Sequence, residues 1–126
     1  MLPVLVFIRE NILGRWERQA QFSPMRMTLP HVPHWAFPVW HIFTVRSPER
    51  DRLQEYLKEK GTGSLIHYPV PLHLAKAYQE AGFLKGAFPT SESIAAGELS
   101  LPIGHHMDLD DAGYVVHMIQ EYLSRR

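Results

Sequence analysis

The chain has 126 residues, of which 45% are apolar, enough for one domain with a modest core and too apolar for a disordered segment. Its 13 basic and 13 acidic residues cancel, which argues against long-range attraction to nucleic acid or anionic lipid. The absence of cysteine excludes disulfides, thiolate-bound metal and a thiol nucleophile within this sequence.

The apolar run Leu2 to Ile8 is too short to cross a bilayer and lacks the basic flank and cleavage site of a signal peptide. A soluble, cytoplasmic protein is the expectation. Val4 to Ile8 reads as a strand or the start of a buried helix, which periodicity leaves open. A short helix is expected from Glu10 to Gln21, weakened by Gly14 and ended by Ser23-Pro24. Residues 29–38, LPHVPHWAFP, form an irregular connector. Alternation from Val39 to Arg46 predicts a strand with both faces largely covered. Ser47, Pro48 and Glu49 then supply a helix start, Leu53, Tyr56 and Leu57 its buried stripe, and Gly61 its end. Gly63 to Tyr68 reads as a second strand, Leu72 to Glu80 as a helix stopped near Gly82, and Thr90 to Glu98 as another helix. Leu99 to Ile103 is a third strand, cut off by Pro102 and Gly104. The last helix starts at Asp108, an N-cap with Asp111 as a capping-box analogue. It carries Leu109, Ala112, Val116, Ile119 and Leu123 on one face. This order predicts an α+β fold with a small, three-stranded, mainly antiparallel sheet covered by helices.

The stretch His67 to His73, HYPVPLH, stands apart. Pro69 and Pro71 fix their own φ and push the residues before them toward extended geometry. The segment is therefore stiff and presents His67, Tyr68 and His73 at set angles. These three are candidate substrate-binding residues, with Pro69 and Pro71 as scaffold; the alternative is that they cap and pack the loop internally. His31 with His34, and His105 with His106, lack the spacing of a metal site. His41 reads best as a core histidine. Trp35, Phe37 and Trp40 read as core, as a ligand platform, or as a patch facing another domain. Asp108, Asp110 and Asp111 are explained by helix capping.

Several elements occur together in one order: TLPHVP, VWHIFTVR, RDRLQEYLKEKG, IHYPVPLHLAKAYQEAGF, FPTSESIAAGELSLPIG and the closing amphipathic helix. From about Met27 to Leu123 they resemble the C-terminal domain of the DegT/DnrJ/StrS family of pyridoxal-phosphate sugar aminotransferases. The resemblance implies the small domain of a fold-type-I aminotransferase, closing over a cofactor-bearing large domain, usually in a homodimer. It implies amino transfer from glutamate or glutamine to a nucleotide-linked keto sugar, in surface-glycan or antibiotic-sugar synthesis. It implies a remnant of the interdomain linker over 1–26 and the aminotransferase small domain over 27–126. The family's large domain, with its cofactor lysine, has no counterpart here. Lys58, Lys60, Lys76 and Lys85 match no cofactor-lysine motif. The chain is therefore expected to be a truncated or split member, inactive alone, that binds no pyridoxal phosphate by itself. It would partner a large-domain chain or another copy of itself, without nucleic acid, membrane or metal. The alternative is a non-catalytic nucleotide-sugar-binding or interaction module.

Overall fold

The computed structural model describes residues 27–104 and 106–125. The expectations for residues 1–26, the linker remnant included, lie outside the described residues, as does His105. Two antiparallel strands, β1 (Phe43–Arg46) and β2 (Glu98–Leu101), pair with Phe43 opposite Leu101 and Arg46 opposite Glu98. Around them lie the helices α1 (Arg50–Glu59), α2 (Pro89–Gly97) and α3 (Leu109–Ser124). The fold is α+β, as expected, but the sheet of the described residues has two strands rather than three.

The third expected strand touches the sheet at one place. Leu65 bridges Ser100 through N–H···O bonds of 3.1 and 2.7 Å. On the opposite edge Thr28 bridges Arg46 in the same way, at 2.7 and 2.9 Å. In the register of the Leu65 bridge His67 already faces Glu98, where β2 begins, and the residues before Glu98 belong to α2, so the segment has no strand left to pair with; beyond Tyr68, Pro69 and Pro71 carry no N–H to extend a ladder. β1 is also shorter than the alternation from Val39 predicts. Extending its register sets Ile42 against Pro102, which has no N–H to give. Val39 accordingly lies 75% exposed.

The two faces of the sheet differ in chemistry. Phe43, Val45, Leu99 and Leu101 share one face, because side chains alternate along a strand, and all four are buried. Leu53 and Leu57 of α1 and Met118 and Ile119 of α3 complete the core there, with α1 packed on α3 and on β2. The expected stripe of α1 is the one observed, Leu53, Tyr56 and Leu57. That of α3 is rotated: Ala112, Val115, Met118, Ile119 and Leu123 are buried, while Leu109 is exposed and Val116 half-buried. Spacings of three and four admit either stripe, and docking on α1 selects the second. The other sheet face carries Thr44, Arg46, Glu98 and Ser100.

Local signals explain the helix ends. The Ser47 hydroxyl accepts the Glu49 N–H at 3.2 Å, and the helix starts two residues later than Pro48. Gly61, at φ 75°, turns the chain out of it. At α3 the capping box is complete: Asp108 Oδ1 accepts the N–H groups of Asp110 and Asp111 at 3.0 and 2.9 Å, and the Asp111 carboxylate reaches back to the Asp108 N–H. The helix expected over Leu72 to Glu80 is instead two 3-10 turns, Leu72–Leu74 and Lys76–Ala81, ended by Gly82 at φ 72°. Neither turn has a fully buried residue, so packing does not stabilise a continuous α-helix there.

Candidate functional site

The polar sheet face organises the site. Extending the register of the Leu65–Ser100 bridge places His67 opposite Glu98. His67 Nδ1 lies 2.9 Å from the Ser100 hydroxyl, which in turn lies 3.3 Å from the Thr44 hydroxyl. The imidazole is thereby fixed on the sheet, and its edge meets the Tyr68 ring at 5.7 Å between centroids. Tyr68 itself is 72% exposed.

Two clefts flank this imidazole. One, of about 600 Å³, runs between the twin-proline segment and α2, with His67, Tyr68, Pro71, Phe88, Ile94 and Glu98 on its walls. The other, of about 530 Å³, lies between the 63–67 segment and the end of β2 and includes His41, Ser64 and Ser100. His67 lines both. His41, read from sequence as a core residue, is exposed on the rim of the second cleft, because β1 begins after it.

His73 lines neither cleft. Its Nε2 lies 3.0 Å from Glu92 Oε1 of α2, and its ring packs on Phe88 at 4.8 Å. The same glutamate oxygen accepts the Gly86 N–H at 2.7 Å. That N–H above all, and then the His73 bond, hold the Glu92 carboxyl below its ordinary pKa. This clasp ties the loop after Pro71 to the first turn of α2. Pro71 lines the first cleft, and Pro69 sits exposed beside it.

Sequence reading passed over Glu92, Glu98 and Ser100. Glu98 and Ser100 were visible in one respect: in ELSL the polar residues alternate with leucines, which puts both on the face away from the core. Glu98 is only 5% exposed, and its Oε1 has no hydrogen-bond partner. Burial pushes its carboxyl above the ordinary pKa, against the opposing pull of His67 and Arg50.

Among the aromatic candidates, Trp40 packs edge-on against Phe43 at 5.1 Å and is half-buried. Trp35 is 78% exposed. His31 and His34 are exposed in the connector. No described helix is long and apolar enough to cross a membrane.

The residues do not fit a pyridoxal-phosphate centre within this chain. The lysines are Lys58, Lys60, Lys76 and Lys85, and none lines either cleft. Lys58, Lys76 and Lys85 are exposed, and Lys60 lies over the Tyr56 ring at 5.5 Å. A Schiff-base lysine needs a desolvated position beside the cofactor, which these side chains lack.

Residues 3–120 match the model of the DegT/DnrJ/EryC1/StrS aminotransferase family. The chain is 46% identical over 90 residues to the erythromycin biosynthesis sensory transduction protein EryC1 of Saccharopolyspora erythraea, a match covering 71% of this chain and 25% of the relative. It is 44% identical over 88 residues to dTDP-3-amino-3,4,6-trideoxy-α-D-glucose transaminase of Streptomyces venezuelae, covering 70% and 23%. The fold superposes on the crystal structure of S. venezuelae DesV in complex with a ketimine intermediate, with a TM-score of 0.81 and 36% identity over 94% of this chain and 32% of that one. The chain thus spans about a quarter of the length of these curated relatives.

Proposed function

The chain belongs to the DegT/DnrJ/EryC1/StrS aminotransferase family, and on that premise we propose that it is the substrate-closing small domain of a sugar-nucleotide aminotransferase. In this reading the full enzyme uses pyridoxal phosphate, bound by a large domain that this sequence does not contain, to carry an amino group from glutamate or glutamine to a nucleotide-linked keto sugar. This chain supplies no cofactor lysine and has no transaminase activity alone. Its own part is to bind and orient the nucleotide sugar and to exclude water by closing. We assign His67 and Tyr68 to ligand contact. Pro69, Pro71 and the His73–Glu92 clasp hold them in place.

The observation that carries this reading is the first cleft. His67 and Tyr68 stand on its wall, His67 held by the Ser100 hydroxyl, and no lysine is among its lining residues. The exposure of Trp35 and Leu84 fits a domain whose relatives place three quarters of their length outside the matched region. In this reading the partner is a large-domain chain or another copy of this chain in a homo-oligomer.

Titration of the ¹⁵N-labelled chain with dTDP-glucose tests the reading. Amides of 67–72 and 87–95 are expected to shift. A spectrum unchanged at those positions up to millimolar ligand rejects the nucleotide-sugar role and leaves an interaction domain. Reduction with borohydride after adding pyridoxal phosphate is expected to label no single lysine preferentially; stoichiometric labelling of one lysine would show a cofactor site after all.

A further inference from the structure

The first cleft has an aromatic ring on each side and one open acceptor. Tyr68, on the twin-proline side, is 72% exposed, and its ring is set edge-on to the His67 imidazole. Phe88, just before α2, is 44% exposed and is held edge-on by His73 at 4.8 Å and by Phe83 at 5.2 Å. Both rings are thus oriented by their neighbours while part of their surface stays open to solvent. Such surfaces take up flat π-systems. Glu98 lines the same cleft, is 5% exposed, and leaves its Oε1 without a partner. The nearby Arg50 is engaged elsewhere: its Nη1 donates to the main-chain carbonyls of Ala95 and Glu98 at 3.2 and 3.1 Å, and its Nε to Asp51 at 2.6 Å. A donor brought by a ligand would relieve the cost of that buried oxygen.

Three parts of a nucleotide sugar compete for this cleft. The diphosphate is disfavoured by charge: no lysine or arginine lines the cleft, and the Glu98 carboxylate would face it. The keto carbon of the sugar has to reach a cofactor held outside this chain, so the sugar ring is the part that must stay out. The nucleobase remains, and its chemistry fits. It has two flat faces for Tyr68 and Phe88, and one open oxygen takes one donor, such as the imide N–H of thymine or uracil.

We propose that the first cleft receives the nucleobase of the nucleotide sugar, stacked between Tyr68 and Phe88 with its N–H given to Glu98 Oε1, while the diphosphate and the sugar lead out toward the large domain. The inference rests on the nucleotide-sugar reading above and goes beyond it by naming the part of the ligand that enters and the groups that hold it.

The test follows amide shifts at neutral pH with dTDP-glucose, dTDP, N3-methyl-dTDP, glucose 1-phosphate and pyrophosphate. In the wild-type chain dTDP is expected to shift the same amides as dTDP-glucose, within 67–72 and 87–98, whereas glucose 1-phosphate and pyrophosphate leave them in place. N3-methyl-dTDP, which has no imide N–H, should bind about tenfold more weakly than dTDP. Glu98→Leu should bring these two nucleotides to equal affinity. Tyr68→Ala should weaken dTDP about tenfold, and Tyr68→Phe, which keeps the ring, should not. Cleft shifts with dTDP-glucose but not with dTDP, or shifts with glucose 1-phosphate or pyrophosphate as large as with dTDP, overturn the inference while leaving the nucleotide-sugar reading intact. Equal wild-type affinities for dTDP and its N3-methyl form, or a preference that survives Glu98→Leu, overturn the role given to Glu98. Failure of every probe to shift the cleft rejects the underlying reading and this inference with it. The wild-type comparisons need no variant, so a misfolded Glu98→Leu protein would not block the test.

Discussion

Hydrogen bonds to single side chains decide how the twin-proline segment is presented. The Ser100 hydroxyl holds the His67 imidazole between the two clefts, and Ser100→Ala is expected to cost about 1 kcal/mol and free the ring. Thermal unfolding reads the first effect, and line-broadening of the His67 ring signals reads the second. The Glu92 clasp is pH-dependent with a definite sign. The folded-state carboxyl sits below its ordinary pKa of 4.5, chiefly through the Gly86 N–H. Its contribution is therefore complete above about pH 4.5 and is lost as pH falls through the folded-state value. Glu92→Gln should lower the melting temperature at pH 6, with the gap to wild type closing in acid. Glu98 has the opposite sign. Burial raises its pKa, so the ionised form costs stability once pH rises above the ordinary 4.5. Glu98→Gln should raise the melting temperature at neutral pH, and that gain should shrink as pH falls through the acid range.

The elements show where local signals suffice and where packing overrides them. The Asp108 capping box was readable from Asp108 and Asp111 alone, because the motif satisfies nearby N–H groups within one turn. Asp108→Ala is expected to destabilise the protein by about 1 kcal/mol, measured by denaturant unfolding. The buried stripe of α3 was readable only to within one residue, since Val115 and Val116 satisfy the same periodicity. The 72–81 stretch has the composition of a helix but buries none of its side chains fully, and it settles into 3-10 turns around the His73–Glu92 pair. The third expected strand was limited by its partner: β2 begins at Glu98, so only the Leu65–Ser100 bridge forms before the facing chain turns into α2.

At the scale of the molecule, one small core carries the fold. Leu57 and Ile119 are completely buried where α1, α3 and the sheet meet. Ile119→Ala should therefore cost about 2–5 kcal/mol, enough to leave a domain of this size partly unfolded, as loss of cooperative denaturant unfolding would show. Glu98 and Ser100 sit on the opposite face of the sheet from that core, with His67 bonded to Ser100 there.

By itself the sequence determined the α+β class, the helix starts, the α1 stripe, the stiffness of HYPVPLH and membership of an aminotransferase family. These depend on contacts within a few residues or on an ordered set of motifs. Only the tertiary structure decided that Glu98 and Ser100 stand beneath His67, that His73 closes onto Glu92, and that His41 and Val39 are exposed. Each of those outcomes is a pairing across 19 or more positions or the loss of one opposite Pro102. No local pattern encodes such a pairing, because strand register and helix docking are settled by what the rest of the chain places alongside.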